Sequence, residues 1–264
     1  RGKVRMYSIE RKAEILKLLE QNGRVDVNEL SSLLQASRET IRRDLSELEE
    51  NGALKRTHGG AVFGSINPKT VDEFPVAVRE IQQYKEKDAI CQRAAAFIED
   101  GDSLFVDNSS TCIYLLKYIP PEYHVTIITN SIKVMLEAAK NRHANHMLVC
   151  LGGLLNESNL SLYGNTTLKN GGEYYPNKAF MSCAEIRFPD EVLDSSLLEV
   201  DTKRLMIERA QQTCILADYT KFKKAGHVFL CNFASIHTLI TDSKTQAEPI
   251  EDLEKAGIRV VVAD

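Results

Sequence analysis

The sequence predicts an α/β protein in two parts, a small helical head closed by a β-hairpin and a larger domain where helices alternate with strands. Three observations carry this. Residues 8 to 50 hold three apolar periodicities of helical spacing, separated by short turns and capping residues. A hairpin pattern follows, centred on Gly59-Gly60. Beyond Lys69, helical runs and short apolar strands alternate to Ala263, the pattern of a mostly parallel sheet. With 264 residues and 43% hydrophobic content, the chain has material for one small and one larger core.

The first helix runs from Ser8 to Gln21. Its stripe is Ile9, Ala13, Leu16 and Leu19, with Ile15 and Leu18 alongside, and Asn22-Gly23 supplies the stop. After Arg24-Val25-Asp26, a second run (Val27, Leu30, Leu33, Leu34) breaks at Gln35-Ala36-Ser37. Ser37 is a good N-cap for a third helix, whose seam is Ile41, Leu45 and Leu48 and whose other faces carry Arg38, Arg42 and Arg43. That helix ends at Asn51-Gly52, and Leu54 to Phe63 alternate as a hairpin. Helix, short turn, capped helix and hairpin read as a winged helix-turn-helix over residues 1–63.

A capped basic helix of this kind fits the major groove of duplex DNA. Ser37, Arg38, Thr40, Arg42 and Arg43 are the candidate groove contacts, since arginine can bridge guanine O6 and N7. Lys55, Arg56, His58 and Gly59 of the wing would lie against phosphates, which position a protein without reading sequence. The competing reading is an ordinary charged helix in which Glu39 and Arg43, four apart, pair for about 0.2–0.5 kcal/mol. The agreement of cap, turn, preceding helix and wing favours DNA. Charge does too: residues 1–65 carry 12 Lys+Arg against 10 Asp+Glu, net +2, within a chain of net charge −4.

Gly64-Ser65-Ile66-Asn67-Pro68 opens an expected linker over 64–73, with the larger domain at 74–264. Helices are expected over Tyr84–Glu99, Thr111–Tyr118, Ile132–Ala139 and Glu199–Arg209. The strands are Ser103–Asp107, Val125–Thr129, His146–Leu151, Lys178–Cys183, Thr213–Ala217 and Thr238–Thr241, before a final helix and strand. Ligands of such sheets collect beyond the carboxyl ends of the strands. Those ends are polar here: Asp107-Asn108-Ser109-Ser110-Thr111, where a following helix offers an anion site, then Thr129-Asn130-Ser131, then Gly152-Gly153. Lys203, with Glu199 one helical turn away, offers a cation. Any one Ser, Thr, Asn or Asp before a helix is more often a cap. Three such ends with a glycine pair favour a phosphosugar-type pocket.

No apolar run approaches the ~20 residues of a membrane span, and nothing at the start resembles a signal peptide, so a cytoplasmic protein is expected. The six cysteines, without C-x-x-C spacing, read as buried free thiols; no metal and no cofactor is expected. Arg1 to Arg5 reads as a basic arm or a start-site artefact.

Residues 8 to 63 resemble the winged helix-turn-helix of DeoR-type bacterial transcription regulators. The matching residues are Glu10-Arg11, Ile15-Leu16, Gly23-Arg24-Val25, Glu29-Leu30, Ser37 to Leu45, Glu47-Leu48-Glu49 and Arg56 to Ala61. One departure is Gln35, where the family usually has glycine. The larger domain resembles the DeoR-type effector domain, a fold similar to ribose-5-phosphate isomerase and CoA-transferase-like enzymes. Asp107 to Thr111, Thr129-Asn130-Ser131, Leu151-Gly152-Gly153, Ser161 to Gly164, Glu199 to Arg204 and Ala217-Asp218 to Phe222 carry this likeness. The loop at Asp107 lacks the family's glycine, Met181 to Ile186 replace a glycine-containing stretch, and Asp194 stands where threonine is common.

The resemblance implies a DNA-binding regulator, most often a repressor of a carbohydrate uptake or catabolic operon, controlled by a phosphorylated sugar. Its partners would be operator DNA, that metabolite and further copies of the chain. By carry-over Asp107, Ser109, Ser110, Thr111, Thr129, Asn130, Ser131, Gly152, Gly153, Glu199 and Lys203 would form the effector site. Two alternatives stay open. One is a sugar-phosphate isomerase-like enzyme using Asp107, Glu185, Glu199 and Lys203; the other is an activator with a vestigial pocket.

Overall fold

The apolar stripe of the first run folds as α1 (Ser8–Asn22) and buries Ile15, Leu16 and Leu19. It stops where Gly23 takes a left-handed φ of +71°, open to glycine at little cost. This computed structural model describes residues 6–63, 74–140, 144–223 and 226–264. The expected linker at 64–73 and the basic arm at 1–5 lie outside the described residues. The chain divides into two units, Arg1–Tyr84 and Lys85–Asp264.

In the first unit, Arg24–Asp26 is a strand, β1. It leads into α2 (Val27–Leu33), capped by the Asp26 carboxylate, which accepts from the N–H groups of Asn28 and Glu29. Gln35 holds the turn before the next helix at a left-handed φ of +50°. A left-handed conformation at a non-glycine residue carries a steric cost of roughly 1–2 kcal/mol. Ser37 caps α3 (Arg38–Glu50) by accepting from the Thr40 N–H at 3.1 Å. The wing is β2 (Leu54–Arg56) and β3 (Gly60–Phe63), and β3 pairs antiparallel with both β2 and β1. That close approach needs Gly60, where an added Cβ would fall 1.8 Å from the Val25 carbonyl oxygen.

A buried ion pair ties α1 to α3. Arg11 Nε donates to Asp44 Oδ2 at 2.7 Å and Nη2 to Oδ1 at 3.0 Å, while Nη1 reaches the Met6 carbonyl. After the linker, α4 (Val76–Arg79) and the chain to Tyr84 pack on this unit. Val78 and Ile81 join its core, and the Tyr84 hydroxyl donates to Glu10. The boundary expected at residue 74 therefore falls at Tyr84.

The second unit follows from strands that are apolar on both faces. α5 (Tyr84–Ala95) precedes β4 (Ser103–Val106); a stretch of 3₁₀ helix (Cys112–Tyr118) then leads to β5 (Val125–Thr129), α6 (Ile132–Lys140) and β6 (His146–Cys150). The short hairpin β7 (Leu154–Asn156) and β8 (Ser161–Tyr163) comes next, with α7 (Asn165–Gly171) and β9 (Lys178–Met181). Then follow β10 (Glu185–Arg187), β11 (Glu191–Asp194), α8 (Val200–Arg209), β12 (Gln212–Leu216) and β13 (Val228–Asn232). β14 (Thr238–Asp242), α9 (Ala247–Lys255) and β15 (Arg259–Ala263) complete the chain.

Seven strands form one parallel sheet in the order β15-β14-β12-β9-β4-β5-β6. Phe105, Ile128, Met181 and Ile215 feed the core on one face, and Leu104, Val106, Phe180 and Leu216 the core on the other. This two-sided burial is what makes parallel strands read as unbroken apolar runs. Three features depart from expectation. Thr111–Tyr118, expected as an α-helix, is 3₁₀ in form. The antiparallel strands β7, β8, β10, β11 and β13 were not foreseen. Cys150 is exposed at the end of edge strand β6, whereas the other five cysteines are buried free thiols as expected.

Candidate functional site

The head presents its basic residues as the helical period requires. Burying Ile41, Leu45 and Leu48 leaves Arg38, Arg42 and Arg43 exposed, with Ser37 and Thr40 at the amino end of α3. Glu39 and Arg43 do not pair. Arg42 lies 3.7 Å from Glu39, and Arg43 lies 3.9 Å from Glu47, contacts long and solvated enough to yield to a phosphate or a base. On the wing, Lys55, His58 and Gly59 are exposed. Arg56 is half-buried, and its Nη1 donates to Ser46 on α3 at 2.8 Å, while its backbone N–H goes to Glu49.

In the second unit, the carboxyl ends of the strands gather the polar residues, and most are buried. Several are local fasteners. Ser109 Oγ accepts from the Cys112 N–H at 3.1 Å, Ser131 Oγ caps α6 through the Val134 N–H, and Thr129 Oγ1 donates to the Val106 carbonyl. Thr111 uses its carbonyl to receive the Cys91 thiol. The helix expected after Thr111 is a seven-residue stretch of 3₁₀ helix. The glycine pair serves the chain itself. A Cβ on Gly153 would fall 2.1 Å from Thr167 Oγ1 and 2.6 Å from the Tyr163 carbonyl oxygen, and Thr167 donates to the Gly152 carbonyl.

The remaining candidates converge on Lys203. Its Nζ donates to Asp194 Oδ2 at 2.6 Å and to the Ser182 carbonyl at 3.0 Å, and lies 3.3 Å from Asp107 Oδ2. Three ammonium hydrogens thus have three acceptors. Burial opposes its charge, yet Asp194 and Asp107 hold the lysine protonated above its ordinary range. Burial likewise works against ionising Asp194, but Lys203 and the N–H groups of Ser196 and Ser195 hold it below the usual carboxylate range. Asp107 also accepts from the N–H groups of Ser109 and Ser182, at 3.0 and 3.1 Å.

One turn earlier on the chain, Glu199 is clasped by the β7–β8 hairpin: Asn156 donates to it at 3.1 Å and Asn159 at 2.9 Å, and the Ser161 hydroxyl donates as well. That hairpin is joined to the end of β5, because the Leu162 N–H donates to the Asn130 carbonyl and Asn130 Nδ2 returns a bond to the Leu162 carbonyl. On the other side, buried Lys87 of α5 donates to Ser110 Oγ at 3.0 Å. Strand-end loop, hairpin and α8 therefore form one continuous polar network.

Lys87, Asn156, Asn159, Ser161 and Ser182 were missed as site residues. Lys87 left a signal: it keeps helical step with buried Ile90, Cys91 and Ala94, and a charge on an apolar face needs a reason. Burial pushes the thiol of Cys183, beside this network, up to about 12, which disfavours the reactive thiolate.

Residues 11–67 match the family model described as a DeoR-like helix-turn-helix domain, and residues 82–243 the one described as the DeoR C terminal sensor domain. The chain is 34% identical over 255 residues to YulB, an uncharacterized HTH-type transcriptional regulator of Bacillus subtilis (strain 168), covering 97% of this chain and 96% of that protein. It is 31% identical over 261 residues to GlcR, an HTH-type transcriptional repressor of the same organism, covering 98% of each. Among solved structures, ribose 5-phosphate isomerase A from Methanocaldococcus jannaschii superposes with a TM-score of 0.41 at 16% identity, over 54% of this chain and 56% of that one.

Proposed function

The chain belongs to the DeoR family of DNA-binding transcriptional regulators, and on that premise we propose that it represses a carbohydrate uptake or catabolic operon until a phosphorylated sugar releases it. It works in the cytoplasm, on operator DNA, as a homo-oligomer. The observation that carries the reading is the pairing, in one chain, of an exposed arginine helix with a buried polar network at the strand ends of a sensor domain.

The mechanism is linkage. A metabolite that prefers the arrangement incompetent for DNA weakens operator binding by its own difference in affinity for the two arrangements. One winged head spans few base pairs, so two or more heads on repeated half-sites are expected. Within the sensor, the phosphate falls to the Ser109–Thr111 loop beside Lys87, because Lys203 is already enclosed by Asp107, Asp194 and Ser182. Lys203 then acts by fixing those groups.

That same enclosure favours a second reading, an activator whose sensor no longer takes a metabolite. Fluorescence anisotropy on the chain's own upstream DNA, against scrambled DNA at equal salt, separates them. Release by one member of a sugar-phosphate panel supports the repressor. Specific binding that no compound alters supports the second reading.

A further inference from the structure

The charged groups of the sensor site, Asp107, Asp194, Glu199, Lys87 and Lys203, all have partners, but three neutral groups among them do not: the Ser195 hydroxyl, beside Asp194, and two amide oxygens past the ends of β4 and β5. The side-chain oxygens of Asn108 and Asn130 are shut off from solvent and accept no hydrogen bond; the residues are 3% and 1% exposed. For Asn130 the amide orientation is set by its own contact. Nδ2 donates to the Leu162 carbonyl at 3.0 Å, so the orphan is the acceptor, Oδ1. A buried acceptor left unmet is costly, and native proteins keep few of them.

Position makes these orphans a pair. β4 and β5 are neighbours whose last registered residues are Val106 and Thr129, so Asn108 and Asn130 stand just past adjacent strand ends, with Asp107 next to Asn108 in the chain. Lys203 has its three acceptors, Lys87 donates to Ser110, and Asn156, Asn159 and Ser161 donate to Glu199. A hydrogen donor on a ligand would satisfy either oxygen. The charge balance agrees, because three carboxylates (Asp107, Asp194, Glu199) face two lysines (Lys87, Lys203). Such a setting favours hydrogen donors over further acceptors.

We propose that Asn108 and Asn130 are the specificity-determining residues of the effector site, reading hydrogen-bond donors, hydroxyl or protonated amine, on the carbon chain of a sugar phosphate; this rests on the sugar-phosphate reading above. A hydroxyl placed there donates to Oδ1 and removes the cost of the unmet acceptor. A deoxy carbon leaves that cost in place. Sites built to hydrogen-bond a hydroxyl reject analogues lacking it for this reason.

The test uses the full chain on its upstream DNA, read by anisotropy, with matched probes: glucose 6-phosphate, glucosamine 6-phosphate and 2-deoxyglucose 6-phosphate, and ribose 5-phosphate with 2-deoxyribose 5-phosphate. The expected result is a releasing compound that acts at roughly tenfold lower concentration than its deoxy partner, one hydrogen bond's worth. Asn108→Ser and Asn130→Ala each erase that preference, while inorganic phosphate raises the melting temperature of parent and variants alike. Asn108→Ser keeps a small polar side chain, and its melting curve guards against misfolding. Greater potency of the amine assigns the donor as ammonium, of the alcohol as hydroxyl; either bears the assignment out. A releasing compound whose deoxy partner works equally well, or whose preference survives both variants, overturns it while leaving the sugar-phosphate reading intact. If operator binding is specific yet no probe alters it, both fall.

Discussion

In the head, Arg11 and Asp44 meet one to one, with two hydrogen bonds between them and a third from Arg11 to a carbonyl. In the sensor unit, Lys203 lies between Asp107 and Asp194, Glu199 is held by three neutral side chains, and two asparagine oxygens go unmet. Both are buried polar clusters, but only the first is complete. A closed pair fixes one geometry, which a recognition helix requires. A cluster with spare acceptors leaves something for a ligand to supply, and so gives the ligand leverage over conformation.

The sharpest way to break that contrast is at the closed pair. Arg11→Ala leaves Asp44 buried and unpaired, and should cost about 3–5 kcal/mol of stability by denaturant unfolding. A loss under 1 kcal/mol would mean that water compensates and the head is not closed. Lys203→Ala should cost less, about 2–3 kcal/mol, because Asp107 and Asp194 keep backbone N–H donors. Operator binding without effector should survive it.

The arginine helix is tested by binding. Arg42→Ala should weaken specific DNA binding by about 1–3 kcal/mol if it reads a base, and leave effector affinity unchanged. Equal loss on scrambled DNA would reassign it to phosphate. Gln35→Gly should stabilise the head by about 1 kcal/mol, since glycine reaches the left-handed turn freely but also loosens the unfolded chain. A destabilised variant would show that the Gln35 side chain contributes more than its backbone costs.

The smallest effect is in pH. Asp194 is held below its ordinary carboxylate value, so its contribution is present above the unfolded pKa, about 3.9, and fades as pH falls through the lower folded value. Asp194→Asn should therefore flatten the acid side of the stability curve below about pH 4. An unchanged slope there would show that Asp194 is not the group lost.

Much of the head was legible because its information is local. Apolar spacing gave all three helices, Ser37 and Gly23 marked their ends, and the exposed positions of Arg38, Arg42 and Arg43 follow from the seam they avoid. Even Asp44 and Lys87 announce themselves as charges in step with buried residues. The alternation of strands and helices likewise fixed a parallel sheet and the end of it where polar residues collect.

Which of those polar residues do what was decided only in three dimensions. Ser109 and Ser131 look the same in sequence as Asp107 and Asn130, yet those two close turns three residues long, while Thr129 reaches the Val106 carbonyl of the neighbouring strand. Asp107 instead meets Ser182 and Lys203, and Glu199 meets Ser161, across separations of 75, 96 and 38 residues. Capping spans three or four residues and leaves a mark in local sequence. A buried charge chooses its partners by what the packed sheet brings within about 3 Å, and no period in the chain encodes that.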